Sequence, residues 1–245
     1  MNDPTPLVGR RVATTRDRPG RLDELLVRLG AEVVHVPLID IIDPPGDELA
    51  TALAGLHDVD WVIVTSQHGA ARVADAVAGH PHLRTAAVGT RTAEVLAITT
   101  GRSVDVVPQR QTAVGLLEAM PAPEPGRNRV LVAHADRAEP TLVDGLRARG
   151  FDVRAVIAYV TRLRAPSAAE RTVLGSVDAV AFASGSAAQA WAETIGTWTP
   201  PHVVAIGPTT ARVARRFGLQ ITAEAADHSI EGLVAEVVDA LRARP

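Results

Sequence analysis

A duplication constrains this chain more than any other feature. Val59-Asp-Trp-Val-Ile-Val-Thr-Ser-Gln-His-Gly-Ala70 and Val177-Asp-Ala-Val-Ala-Phe-Ala-Ser-Gly-Ser-Ala-Ala188 follow one plan. Each has a leading Asp, a short apolar run, a Ser where the run ends, and small residues that open a helix. Asp60 pairs with Asp178 and Ser66 with Ser184, a shift of 118 residues. The same shift carries Val88-Gly-Thr-Arg-Thr-Ala93 onto Ile206-Gly-Pro-Thr-Thr-Ala211, and Arg11-Val-Ala-Thr-Thr15 onto Arg129-Val-Leu-Val-Ala133. Near the ends, Thr112-Ala-Val-Gly-Leu116 matches Ser229-Ile-Glu-Gly-Leu233 with a shift of 117. A 245-residue chain that repeats itself in this way is expected to form two domains of ordinary size.

Inside each repeat, short apolar runs alternate with helical periods. After a polar lead-in over residues 1–10, the pattern predicts a strand at 12–15. A helix follows at 19–29, with Leu22, Leu25, Leu26 and Leu29 on one face, closed by Gly30, and then a strand at 32–36. The run 37–43 extends that strand until Pro44-Pro45-Gly46 stops it, and 157–163 overextends at the matching place. Between them the reading is helix 46–56, strand 60–65, helix 68–79, strand 84–88, helix 90–100, strand 104–107 and helix 113–119. The second repeat starts at Arg129, after a joint at 121–126. This alternation predicts an α/β fold with parallel sheets covered on both faces. Two arrangements fit: each half folds by itself, or the chain crosses at the two long strands. Periodicity does not separate them.

Composition removes several chemistries. There is no cysteine, so thiolate nucleophiles, disulfides and Cys-ligated metals are excluded. There is no lysine either, since every basic residue other than histidine is Arg, and this excludes Schiff-base chemistry and the Walker-type loop. A net charge of -3 argues against broad nucleic-acid binding, yet permits a local anion site. No apolar run approaches the length of a membrane span, and the N-terminus lacks a signal-peptide core, so cytoplasmic residence is expected.

The hydroxyl-rich turns are the first candidates for chemistry. Thr65-Ser-Gln-His-Gly69, Ala183-Ser-Gly-Ser186, Gly89-Thr-Arg-Thr92 and Gly207-Pro-Thr-Thr210 each stand between a strand end and a helix start. In an open parallel sheet such loops bind ligands, and helix N-termini accept carboxylates or phosphates. Plain helix capping is the competing account of the same Ser and Thr residues. No loop carries the dinucleotide glycine spacing.

Tyr159, the only tyrosine, falls on one of the long strands, where a phenol can donate a proton to a leaving hydroxyl or simply pack. His80 and His82 flank Pro81 without further metal ligands nearby, and His68 sits in the first turn after Ser66. Arg16 and Arg18 follow the first strand and are able to meet an anion.

The order of several motifs resembles the uroporphyrinogen-III synthase family. They are Thr14-Thr15-Arg16, Thr65-Ser66, Val88-Gly89, Ala158-Tyr159-Val160-Thr161 and above all Ala205-Ile-Gly-Pro-Thr-Thr-Ala211. The resemblance implies two flavodoxin-like parallel-sheet domains joined by a two-stranded ladder, with the chain crossing between them and the active site in the cleft. Residues 1–37 with 165–245 would form one domain and 44–157 the other, with 38–43 and 158–164 connecting them.

It further implies a cofactor-free, metal-free lyase, with no nucleic-acid or membrane partner and a monomeric state. Hydroxymethylbilane, a polycarboxylate, is closed with inversion of its last pyrrole ring and loss of water. The hydroxyl departs to give an azafulvene cation, and the substituted carbon of the last ring attacks to give a spiro intermediate. That intermediate fragments and recloses. By position, Tyr159 would assist hydroxyl departure. Arg16, Ser66, Gln67, His68, Gly89, Thr92, Ser184, Gly185, Ser186, Gly207, Thr209 and Thr210 would meet the acetate and propionate arms. His68 stands where the family has Asn, and Ala183 where it has Thr. A non-catalytic ligand-binding or regulatory module using the same fold is the alternative, and no DNA-binding segment is expected after the final helix. A doubly wound transferase would lack an evident carboxylate or metal site.

Overall fold

A computed structural model describes residues 5–242; residues 1–4 of the lead-in and 243–245 lie outside it. The chain opens with β1 (Arg11–Thr14), α1 (Arg21–Arg28), β2 (Glu32–His35) and β3 (Ile39–Ile42). It continues with α2 (Glu48–Ala54), a 3₁₀ turn (Leu56–Asp58), β4 (Trp61–Val64), α3 (Gln67–Ala78), β5 (Arg84–Ala87), α4 (Thr90–Thr100), α5 (Ala113–Ala119), β6 (Arg129–Ala135) and α6 (Thr141–Ala148). After β7 (Asp152–Leu163) come α7 (Ala168–Leu174), β8 (Ala179–Phe182), α8 (Gly185–Thr194), β9 (His202–Ala205), α9 (Pro208–Arg216), β10 (Ala223–Glu224) and α10 (Ile230–Arg242). No helix among the described residues is long and apolar enough to cross a membrane.

The chain divides into two compact units, one comprising residues up to Asp40 and from Arg162 onward, the other Ile41–Thr161. The first holds a sheet ordered β10-β9-β8-β1-β2, parallel throughout. The second holds β3-β7-β6-β4-β5, in which the pairs from β7 to β5 are parallel. The 118-residue shift takes β1 to β6, β4 to β8 and β5 to β9, so each unit contains strands from both repeats. The units are not the repeats.

Alternate residues of the central strands feed opposite faces, as a sheet buried on both sides requires. In β4, Val62 and Val64 join the core under α2, α3 and α4, while Trp61 and Ile63 join the core under α5 and α6. In β8, Val180 and Phe182 pack with Trp191 of α8, and Ala179 and Ala181 pack with Leu233 and Val237 of α10.

Two sequence expectations are corrected. The run 37–43 does not prolong the strand before it: β2 ends at His35, and β3 belongs to the other sheet. Pro37 has no N–H to give a ladder, so the strand breaks there. β7 meets no proline and runs twelve residues. The strand expected at 104–107 shrinks to one bridge between Val106 and Ala86. Asp105 Oδ2 accepts from both Thr85 N (2.7 Å) and Thr85 Oγ1 (3.0 Å), a side-chain substitute for part of the ladder.

α7 opens with a reciprocal cap: Glu170 N donates to Ser167 Oγ (3.3 Å) and Ser167 N to Glu170 Oε2 (2.7 Å). Arg164 adds a forked pair to the same carboxylate at 2.8 and 3.0 Å. Chiefly through Arg164, and then Ser167, the Glu170 carboxyl is held at about 2, below its ordinary 4.5. A depressed acid stabilises the fold above its unfolded value and loses that contribution as pH falls through its folded value. The difference in melting temperature between the wild type and Glu170→Gln is therefore expected to be constant above about pH 5.5 and to shrink between about 4.5 and 2. Thermal melts across that window check it; a difference that persists unchanged at pH 2 would refute the assignment.

Candidate active site

The four hydroxyl-rich turns do lie where strands end and helices begin. Ser66 is the N-cap of α3, with its Oγ accepting from Gly69 N at 3.1 Å. Ser184 caps α8 in the same way, accepting from Ala187 N at 3.2 Å, and its Oγ also lies 3.0 Å from Ser186 Oγ. These two hydroxyls serve as caps, so what the turns leave for a ligand is chiefly backbone N–H and the neighbouring side chains.

The other pair of turns starts on glycine. Gly89 and Gly207 are the N-caps of α4 and α9, and neither has a side chain to satisfy the helix. Each lies under a side chain from the segment before the last helix of its repeat. A Cβ on Gly89 would stand 2.5 Å from Gln111 Oε1, and one on Gly207 would stand 2.7 Å from His228 Cδ2. Gln111 and His228 are related by the 117-residue shift. Gln111 Oε1 accepts from Thr90 N (3.1 Å) and its Nε2 donates to Thr90 Oγ1 (3.1 Å), which takes up the first free N–H of α4. In α9 the matching position is Pro208, which has none. A cavity of about 650 Å³ in the second unit is lined by Gln67, Gly89, Thr90, Arg91, Thr92, Glu94 and Gln111. Gln67, Gly89 and Thr92 are thus brought together.

Buried hydroxyls separate into two groups. Thr14 bonds Asp23 (2.5 Å) and Thr85 bonds Asp105, so both are internally paired. Thr15, Thr92 and Thr210 are buried, and their hydroxyls make no hydrogen bond among the described residues. No side-chain nitrogen or oxygen among those residues is both unpaired and sealed from solvent, so each of these hydroxyls keeps an opening. All three follow the carboxyl end of a strand. Thr92 and Thr210 occupy the same place in α4 and α9, one helix in each unit. Thr209 is exposed beside Thr210. Gly185 permits a close approach of α8 to α9, since a Cβ there would stand 2.9 Å from Val213. The Arg16 side chain is exposed, and its carbonyl accepts from His35 Nε2 at 2.8 Å.

Tyr159 belongs to the same class of unpaired hydroxyls. The residue is 8 % exposed within the core of the second unit, and its Oη has no partner among the described residues. It follows an irregularity in the β6–β7 ladder, where His134 faces Ile157 but Ala135 faces Tyr159. That extra residue turns the side chain out of simple alternation. Its ring meets the His68 ring edge-on at 5.4 Å, and the Arg72 guanidinium lies 5.7 Å from its centroid. Sequence reasoning counted His68 among the substrate contacts but missed its place beside Tyr159, and missed Arg72, one helical turn further on, as well as Gln111 and the hydroxyl of Thr15. The i,i+4 spacing of His68 and Arg72 was the available signal.

Fold and site define a class: parallel α/β units, without thiol or amine nucleophile, each with polar groups that open at its own strand ends, and a buried phenol in the second unit. The family model "Uroporphyrinogen-III synthase HemD" matches residues 20–235. The chloroplastic uroporphyrinogen-III synthase of Oryza sativa subsp. japonica is 29 % identical over 95 % of this chain and 81 % of its own length. The porphyrin biosynthesis protein HemD of Ruminiclostridium josui is 26 % identical over 88 % of this chain, which spans 45 % of that longer protein. Among solved structures, uroporphyrinogen-III synthetase of Helicobacter pylori superposes with a TM-score of 0.67 at 16 % identity, covering 95 % of this chain and all of the other. A mutant uroporphyrinogen III synthase of Thermus thermophilus gives 0.60 at 20 %, covering 95 % and 99 %. The chain belongs to the uroporphyrinogen-III synthase family.

Proposed function

We propose that this chain closes hydroxymethylbilane to uroporphyrinogen III, inverting the last pyrrole ring and releasing water. Within that reaction Tyr159 gives its phenolic proton to the departing hydroxyl. Water leaves, and the remaining azafulvene cation is attacked by the substituted carbon of the last ring. The spiro intermediate fragments and recloses through the other ring carbon, and loss of a proton there restores the aromatic pyrrole and the phenol. Positioning and proton handling do the work, so a chain without Cys or Lys is adequate.

The turns at 66–68 and 89–92, and those at 184–186 and 207–210, are assigned to the carboxylate arms, largely through backbone N–H groups. Thr92 and Thr210 add hydroxyl donors, and Thr15 joins them. The strand order of the first unit, β2-β1-β8-β9-β10, is the flavodoxin-like 2-1-3-4-5, which supports reading the units as flavodoxin-like domains with ligands at strand ends.

The observation that carries the reading is the solvent-open, unpaired hydroxyl of an otherwise buried Tyr159, in a chain of this family. The test is to supply purified protein with fresh hydroxymethylbilane, oxidise the products and separate the isomers. A product dominated by the type III isomer is expected. If only the spontaneous type I isomer formed, catalysis would be refuted and a ligand-binding role would take its place.

A further inference from the structure

A catalytic phenol needs a fixed orientation, and among the described residues Tyr159 has no hydrogen bond through its hydroxyl to provide one. Its backbone is anchored: Asp136 N donates to Tyr159 O (3.1 Å), and Thr161 N donates to Asp136 Oδ1 (3.0 Å). The main chain therefore fixes where the side chain starts. Where the ring points is left to what touches it.

Most of those contacts are aliphatic members of the surrounding core. Two polar side chains reach it from one helix. α3 runs close to this part of β7: a Cβ on Gly69 would lie 3.4 Å from Ala133 O and 3.9 Å from the Ala158 Cβ, ordinary van der Waals contact. From the adjoining turns, His68 presents its ring to the edge of Tyr159 with an interplanar angle of 62°, and Arg72 places its guanidinium over the ring at 5.7 Å. Arg72 is itself held at two points. Its Nη1 donates to the His68 carbonyl (3.3 Å) and its Nε to Asp43 Oδ1 (2.9 Å). A planar guanidinium bound at two places is a stiff platform for an aromatic face, which a single ammonium would not be.

We propose that Arg72, fixed by Asp43 and the His68 carbonyl, is a positioning residue that orients the Tyr159 phenol for proton transfer. This rests on Tyr159 being the acid of the reaction. Small misplacements of a reacting group cost up to about a hundredfold in rate, and a ring still confined by its core should lose less. Arg72→Met keeps the aliphatic stem and removes the cation. It is expected to lower kcat about tenfold and leave KM for hydroxymethylbilane within about twofold, the pattern of an interaction felt only in the transition state. In a Tyr159→Phe background the same substitution is expected to cost nothing further, because groups that act as one unit are not additive.

The chain has a single tyrosine, which gives a direct view of the ring. Protein labelled with fluorotyrosine yields one fluorine resonance from position 159, and Arg72→Met should shift or broaden it. Arg72→Lys, a milder change for comparison, should fall between Met and wild type in both readouts. A KM rise at unchanged kcat would make Arg72 a substrate contact and overturn the proposal. An equal kcat loss in both backgrounds, or an unmoved fluorine signal in folded Arg72→Met or Arg72→Lys protein, would also overturn it. Unchanged kcat in Tyr159→Phe alone would instead remove the acid, and the role of Arg72 with it.

Discussion

Tyr159→Phe is expected to lower kcat about a hundredfold while changing stability by less than about 1 kcal/mol. General acids contribute roughly 10² to 10⁴ in rate, and the low end suits a leaving group that departs slowly without help. Stability should hold because the hydroxyl has no partner among the described residues, so its loss strands no buried donor or acceptor. The ring itself is retained, and with it the contacts to His68, Arg72 and the surrounding core. Because only proton delivery is removed, the enzymic product should still be the type III isomer, formed more slowly against a larger spontaneous type I background. Turnover and isomer ratio, measured together with a melting curve, check all three parts. Unchanged turnover would remove Tyr159 from the mechanism. A collapsed melting temperature would mean that the hydroxyl is structural.

The alternation of strands and helices was legible because it is local: most strands are short apolar runs, and most helices begin at a hydroxyl or glycine. The distribution of strands between units was not legible, because β1 and β6 carry nearly the same pattern, as do β4 and β8. Which of them pair depends on the crossing points near Asp40 and Thr161. At one crossing the run 37–43 was read as continuous with the strand before it, although Pro37 offered the clue. The other is the unbroken β7, whose overextension as far as Leu163 was read from the run 157–163. At 104–107 the apolar pattern was real, but Asp105 diverted the ladder to its own carboxylate.

In the site, caps and glycines could be read from spacing, whereas Gln111, Arg72 and the open hydroxyl of Thr15 depend on what the folded chain brings beside them. The repeat did contain a hint about Gln111. It aligns with His228, and each covers the glycine that starts a helix in its own unit. The two turns are not equivalent, however, since Gln111 closes one helix with an amide and α9 opens with a proline instead.

The largest loss of stability is expected from Trp191→Ala, at about 3–5 kcal/mol, the usual range for deleting a large aromatic from a core. Trp191 is fully buried on α8. It meets Phe182 of β8 edge-on at 5.8 Å and stacks on Trp198 at 6.1 Å. Its Nε1 donates to the Trp198 carbonyl at 2.8 Å, so truncation opens a cavity and also removes the partner of that carbonyl. Against a typical total of 5–15 kcal/mol, such a loss leaves the fold marginal. The effect should reach the proposed site. α8 carries Ser184 and Ser186 at its start, and the indole fixes the helix against β8, so activity should fall at temperatures where the wild type is still folded. Trp191→Phe keeps the aromatic contact without the N–H and is expected to cost less. Urea unfolding followed by the fluorescence of Trp61 and Trp198 measures both variants. A loss below about 1 kcal/mol for the alanine variant would show that α8 can repack over the gap, and that its hold on the Ser184 turn does not depend on the indole.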